Sequence, residues 1–147
     1  MKRISLIYVL FSLVLIFNCF LTEQEENEPE EKTLQNTRWI LESFDIDGNI
    51  VKPPKDQFYT IQFKEDGTVS GKIDCNEFYA KYLITSDNSL RLEQFMITEI
   101  ACGGDQSISD KYIQGLGDAK LYKILKNYLY LYYGDNSRLV FLVNNSL

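Results

Sequence analysis

The sequence predicts a mainly β protein: a small antiparallel β-barrel with one short α-helix, preceded by an export signal and a disordered tether. Three observations carry this. From Trp39 onward, apolar and polar residues alternate in short runs broken by turn residues, the period-two signature of half-buried strands. Only the stretch from Ser107 to Gly117 switches to helical spacing. The foldable part, Thr33 to Leu147, is about 115 residues, a size that suits one domain with one core. Eight or so strands in so short a chain favour a closed or nearly closed barrel, because closure removes exposed edges and the helix can plug one opening. A two-layer sandwich is the alternative arrangement.

Residues 1–18 read as a signal peptide. Lys2 and Arg3 precede an apolar run from Ile4 to Phe17, interrupted only by Ser5 and Ser12. At about 14 apolar residues it falls short of the ~20 a membrane-spanning helix needs. Leu15-Ile16-Phe17-Asn18 before Cys19 resembles a bacterial lipobox, although Asn18 is bulkier than the small residue usual beside the cleavage point. On this reading Cys19 is the lipid attachment site, and acyl chains anchor the protein without a transmembrane helix. The alternative is a plain secretory signal that happens to end in a cysteine.

Residues 19–33 form the tether. Glu23, Glu25, Glu26, Glu28, Glu30 and Glu31 crowd a segment too charged and too poor in apolar residues to fold. Such an acidic stretch after an acylated cysteine resembles a signal for display on the outer face of the outer membrane. The expected location is therefore the cell envelope, lipid-anchored to the outer membrane on its periplasmic or its surface-exposed face.

The domain occupies residues 34–147. Trp39, Leu41 and Ser43 open the first strand. Tyr59, Ile61 and Phe63 alternate with polar neighbours, and Asp66-Gly67 turns the chain so that Val69, Gly71, Ile73 and Cys75 continue on one face as a hairpin. Further strands are predicted at 78–84, 90–95, 96–102, 120–125, 128–133 and 139–143, with turns at Asp87-Asn88, Lys126-Asn127 and Gly134-Asp135-Asn136. Ser107 and Asp110 are spaced as a capping box; Ile108, Tyr112, Ile113 and Leu116 recur at helical spacing, and Gly117 can close the helix.

The whole chain has 15 Lys plus Arg against 21 Asp plus Glu. Without Lys2, Arg3, Lys32 and the six tether glutamates, 12 basic and 15 acidic residues remain, so the acidity belongs mostly to the tether. No basic helix or stripe stands out, and nucleic acid is not an expected partner. There is no histidine, which excludes Ser-His and Cys-His catalysis, and no Gly-rich phosphate loop. Zinc would have to rely on two cysteines plus carboxylates, so no metal and no cofactor is expected.

The domain keeps two cysteines, Cys75 and Cys102. In an exported protein such a pair is most simply a disulfide, closing about 27 residues and stabilising the fold by roughly 3–4 kcal/mol. A reactive redox pair and two free buried thiols are the alternatives. Asn76 beside Cys75 reads as a structural residue that satisfies backbone groups where a strand turns, with a binding role as the alternative. Asp74, Glu77, Glu93 and Glu99 are the candidates for an acid pair, against the commoner reading as solvated carboxylates on an outer face.

From Trp39 to Phe141 the order and spacing of residues resemble the META domain, the family of the bacterial heat-shock protein HslJ. The matching positions are Trp39, Leu41 and Ser43; Phe63, Gly67, Val69, Ser70 and Gly71; the Cys75-Asn76 pair with Phe78 and Tyr82; Thr98, Ala101 and Cys102; Leu116; and Tyr122, Ile124, Leu129, Leu131 and Phe141. Asp74 and Ala80 depart from the pattern, standing where the family often has glycine. The resemblance implies a small barrel of lipocalin-like topology, common on envelope lipoproteins, without enzymatic activity and linked loosely to stress or drug tolerance.

The best lead to function within the residues themselves is the run 128–133. Tyr128, Tyr130 and Tyr132 fall on one strand face and Leu129, Leu131 and Tyr133 on the other, so one face points away from the core. An exposed aromatic row suits contact with a sugar, a peptide or a protein; otherwise the tyrosines shield backbone and pair across the sheet. The expected protein is a monomeric, non-enzymatic envelope lipoprotein that binds an envelope protein or small ligand. The rival function is a carrier of a small apolar ligand inside the barrel, which needs a hollow interior rather than one filled by Trp39, Phe63 and the leucines.

Overall fold

Period-two alternation does organise the domain into antiparallel sheet. The computed structural model describes residues 32–85, 88–103 and 106–144, all within the unit Glu31–Leu147. Among them run β1 (Arg38–Ile46), β2 (Asn49–Val51), β3 (Tyr59–Phe63), β4 (Thr68–Ile73), β5 (Asn76–Ile84), β6 (Leu90–Ile97), α1 (Gln106–Gly117), β7 (Ala119–Leu125), β8 (Tyr128–Tyr133) and β9 (Ser137–Val143). Cys19 and the rest of the proposed signal and tether up to residue 31 lie outside the described residues.

The strands form one sheet in the order β6-β5-β4-β3-β1-β9-β8-β7, with β2 added to the end of β1. This sheet curls into a half-barrel. Among the described residues its end strands are joined by the bridge between Ser89 and Leu121, where Ser89 Oγ donates to Lys120 O at 3.4 Å. The arrangement is the predicted antiparallel barrel in its nearly closed form, and one continuous sheet replaces the sandwich alternative.

Helix α1 fills the concave side. Ile108, Ser109, Tyr112, Gly115 and Leu116 are its buried face. Tyr112 stands at the centre, its ring edge-on to Tyr59, Phe78 and Phe141 at centroid distances of 5.2, 6.4 and 6.1 Å. Its hydroxyl donates to Thr60 O at 3.0 Å, which satisfies the one polar atom it brings inside. Around it Trp39, Phe44, Phe63, Leu129, Leu131 and Leu139 are fully buried. Gly71 is required here: a Cβ on it would lie 1.8 Å from Thr60 O and 2.6 Å from the Phe78 ring.

Several local expectations are corrected. Residues 90–102 were expected as two strands, but β6 is continuous to Ile97 and 98–103 is loop. The cause is a bulge at Gln94, whose φ of +57° shifts the core-facing positions from Leu90 and Leu92 to Phe95 and Ile97 and so breaks the even-numbered alternation. Cys75 was placed on the strand of Val69, but β4 ends at Ile73 and Asp74-Cys75 form the two-residue turn to β5. The Asp47-Gly48 hairpin that creates β2 was missed, although Asp-Gly with φ of +50° and +84° suits the turn twist that hairpins favour. Helix α1 begins at Gln106, which puts Ser107 inside the first turn rather than at the cap; Gly117 ends the helix without a positive φ.

Candidate functional site

Strand β8 turns Leu129 and Leu131 into the core and leaves Tyr128, Tyr130 and Tyr132 on the outer face of the sheet. Successive rings are 6.3 and 6.5 Å apart, with interplanar angles of 32° and 30°, so they form a ladder along the strand. The flanking strands extend it sideways. Tyr128 is opposite Leu125 on β7 and Leu142 on β9, and Tyr130 is opposite Lys123 and Val140. Leu121, Leu125, Tyr128 and Leu142 are 40%, 52%, 38% and 37% exposed. Tyr130 and Tyr132 are half-buried by these neighbours, so pairing across the sheet and an accessible aromatic face coexist.

Charge frames this surface. Arg138 on β9 places its guanidinium 5.3 Å from the Tyr130 ring centroid and donates from Nε and Nη2 to Asp45 Oδ2 at 2.9 and 2.7 Å. A hydrogen bond with Tyr132 and the Asp45 carboxylate both raise the Arg138 pKa, so the cation is permanent. An ion pair between Lys52 and Glu42 stands near Tyr128, and it raises the Lys52 pKa. The result is an apolar, aromatic strip with a fixed guanidinium over its middle ring.

The Cys-Asn pair has a different role. Cys75 and Cys102 form a disulfide with a Cα separation of 5.8 Å. Next to it, Asn76 Nδ2 donates to Ile100 O at 2.9 Å, and Asn76 Oδ1 accepts from Ile100 N at 2.7 Å and from Thr98 Oγ1 at 2.9 Å. Thr98 Oγ1 in turn accepts the Glu77 N–H at 3.0 Å. Both ends of one amide thus clamp the loop after β6 onto the start of β5, while the disulfide pins the same loop covalently. Asp74 is left-handed, with φ of +56°, which explains why glycine suits this position.

Of the candidate acidic residues, Glu77 and Glu93 are not assembled into a pair. Asp74 lies in the β4–β5 turn and Glu99 in the loop after β6. Glu77 accepts the Tyr79 hydroxyl at 3.0 Å, and Glu93 pairs with Arg91 at 3.7 Å. Glu77 is four residues along β5 from Lys81, the cross-strand partner of Glu93, which separates the two by roughly 13 Å, beyond the ~5–9.5 Å of glycosidase carboxylates. Asp74, Cys75 and Cys102 have ligand atoms within 4.8 Å of one another, but the two sulfurs are spent on each other.

Sequence reasoning missed a second outer feature, a hollow of about 600 Å³ over β1, β3, β4 and β5 lined among others by Arg38, Phe58, Gln62, Ser70, Lys72 and Tyr79. Outward polar positions on strands carry no motif; only the register brings these together.

Comparison with known proteins fits this architecture. The model of the META domain family matches residues 32–146. Among solved structures, an NMR structure of a protein from Burkholderia xenovorans superposes with a TM-score of 0.66 at 19% identity, covering 85% of this chain and 97% of that one. A crystal structure of a DUF4847 family protein from Bacteroides vulgatus superposes with a TM-score of 0.62 at 20% identity, covering 80% and 99%. At these identities the likeness is one of fold. None of the curated proteins matches the chain in sequence.

Proposed function

The chain belongs to the META domain family, and from that premise we propose that it is a non-enzymatic lipoprotein of the cell envelope whose domain is an interaction module. Cys19 carries the acyl anchor, the tether spaces the domain from the membrane, and the outer face of β7, β8 and β9 docks an envelope partner. The observation that carries this reading is the tyrosine ladder: three rings in register with Arg138 fixed over the middle one, on a sheet face that α1 leaves uncovered. Tyrosine and arginine presented on rigid strands lose little side-chain freedom on binding, and such residues dominate interface energetics.

The rival carrier reading is the weaker. Trp39, Phe44, Phe63, Phe78, Tyr112 and Phe141 are all 0% exposed and occupy the space a ligand would need. For the same family, a link to envelope stress or drug tolerance is part of the proposal.

The test is a comparison of the wild-type chain with the Tyr128→Ala/Tyr130→Ala/Tyr132→Ala variant, both isolated from solubilised envelopes under identical conditions. The expected result is a specific co-purifying protein that the triple variant loses while its circular dichroism stays native. Retention of the same partner by a natively folded triple variant refutes the assignment of this face.

A further inference from the structure

We propose that the outer surface running across β1, β3, β4, β5 and β6 binds an anionic saccharide, a short run of sugar rings carrying carboxylate, sulfate or phosphate groups. This surface shares no lining residue with the tyrosine ladder, and the two adjoin where Ile40 lies opposite Leu142. Two hollows of about 600 and 460 Å³ adjoin at Ser70 and Tyr79, and the pair is termed the recess. Strand register lines its floor with a transverse row: Arg38 opposite Gln62, Gln62 opposite Ser70, Ser70 opposite Tyr79, and Tyr79 opposite Met96. Five strands at ~4.8 Å spacing make this row roughly 19 Å long, room for several linked rings.

The charge of the recess is one-sided. Arg38 and Lys72 line one hollow, Lys64 and Lys81 the other, and Glu77 is the single acid in either lining. None of the four cations forms an ion pair among the described residues. The nearby carboxylates keep their charge, and each takes a hydrogen bond or ion pair from a donor other than these four cations. Glu77, directly across from Lys72, accepts the Tyr79 hydroxyl at 3.0 Å. Glu93, across from Lys81, pairs with Arg91. Asp66 accepts the Thr68 N–H and hydroxyl at 2.9 and 2.6 Å, and Glu65 accepts from Asn36 Nδ2 at 2.8 Å. Four unpaired cations on one recess, in a domain whose net charge is slightly negative, form a local field that favours an anion.

Two further features select a sugar over a simple ion or a flat anionic membrane. Phe58 and Tyr79 stand 59% and 48% exposed at the recess, and flat aromatic rings offer an apolar face to the C–H face of a pyranose. In the same lining the Gln62 amide and Ser70 hydroxyl supply both donors and acceptors for ring hydroxyls.

The experiment is an NMR titration of the full chain in neutral detergent micelles with a galacturonate hexamer and with a heparin-derived hexamer; maltohexaose is the uncharged probe. The proposal expects saturable shifts at Gln62, Ser70 and Tyr79 with at least one acidic probe. Affinity should fall roughly threefold between ~0.05 and ~0.3 M salt. The Lys72→Gln/Lys81→Gln variant should weaken binding roughly fivefold, and Tyr79→Ala roughly fivefold as well. All three positions are exposed, so native circular dichroism is expected in each variant. Absence of saturation with both acidic probes, an equal response to maltohexaose, or unchanged affinity in both variants overturns it. Shifts at these residues with phosphatidylglycerol vesicles but with neither hexamer would reassign the recess to membrane and overturn it too.

Discussion

Asn76 holds the loop after β6 by both ends of its amide, and three of its partners belong to Thr98 and Ile100. At about 1 kcal/mol net per bond, Asn76→Ala should cost roughly 2–3 kcal/mol in urea unfolding, whereas a loss within ~0.5 kcal/mol would mean that the clamp is incidental. Asp74 beside it is strained by its positive φ, so Asp74→Gly should leave stability unchanged or raise it by up to ~1 kcal/mol, and Asp74→Val should lower it by ~1–2 kcal/mol. Two titrations have a defined sign. The Thr68 hydroxyl and N–H lower the Asp66 pKa, so its contribution is present above the unfolded carboxylate value near ~3.9 and is lost as pH falls through the lower folded value. Thr68→Val should move the Asp66 titration, followed by NMR, back up. Burial raises the Tyr112 phenol well above 10; its contribution is complete below the unfolded value near ~10 and is lost as pH rises through the folded one. Tyrosinate absorbance from Tyr112 should therefore appear only with alkaline unfolding. The Cys-Asn pair was readable as a motif in the sequence, but its role was not, because the carbonyl and N–H that Asn76 serves lie 24 residues away.

At the scale of elements, the alternation of apolar residues located eight of the strands and the helix, because half-buried strands and an amphipathic helix differ in period. It failed where a bulge inverted the parity. Leu41 and Phe44 both face the core across the irregularity at Leu41/Ser43, as Leu92 and Phe95 do across Gln94. Strand β2 escaped because three exposed or half-exposed residues carry no apolar pattern, and only the Asp47-Gly48 turn announced it. The disulfide ties the β4–β5 turn to the loop that leads into α1, across 27 residues. Cys75→Ser/Cys102→Ser should lower stability by roughly 3–4 kcal/mol with the fold retained; a change under ~1 kcal/mol would show that the Asn76 clamp suffices alone. Gly71→Ala forces a Cβ onto Thr60 O, and a loss of about 3 kcal/mol or more is expected by denaturant unfolding.

At the scale of the domain, the half-barrel and its helix produce a filled interior and two outer surfaces that α1 leaves uncovered, and function is assigned to the surfaces. The tyrosine ladder was legible because strand parity alone separates Tyr128, Tyr130 and Tyr132 from Leu129 and Leu131. The recess was not, since Arg38, Gln62, Ser70 and Tyr79 come together only through the register of four strands. The proposed anchor predicts that protein extracted from its native membrane begins at Cys19, carries added acyl mass and has no thiol open to alkylation; an unacylated chain would remove the lipoprotein assignment and leave the domain untouched. The central claim, that the outer face of β8 is an interaction surface, is tested most directly by photocrosslinking in the intact envelope, with Tyr130 replaced by p-benzoylphenylalanine and Lys111 on α1 replaced in the same way as the reference. The account predicts one discrete protein adduct from position 130, absent from position 111 and abolished by adding Tyr128→Ser and Tyr132→Ser. No adduct from position 130, or the same adduct from both positions, would contradict it.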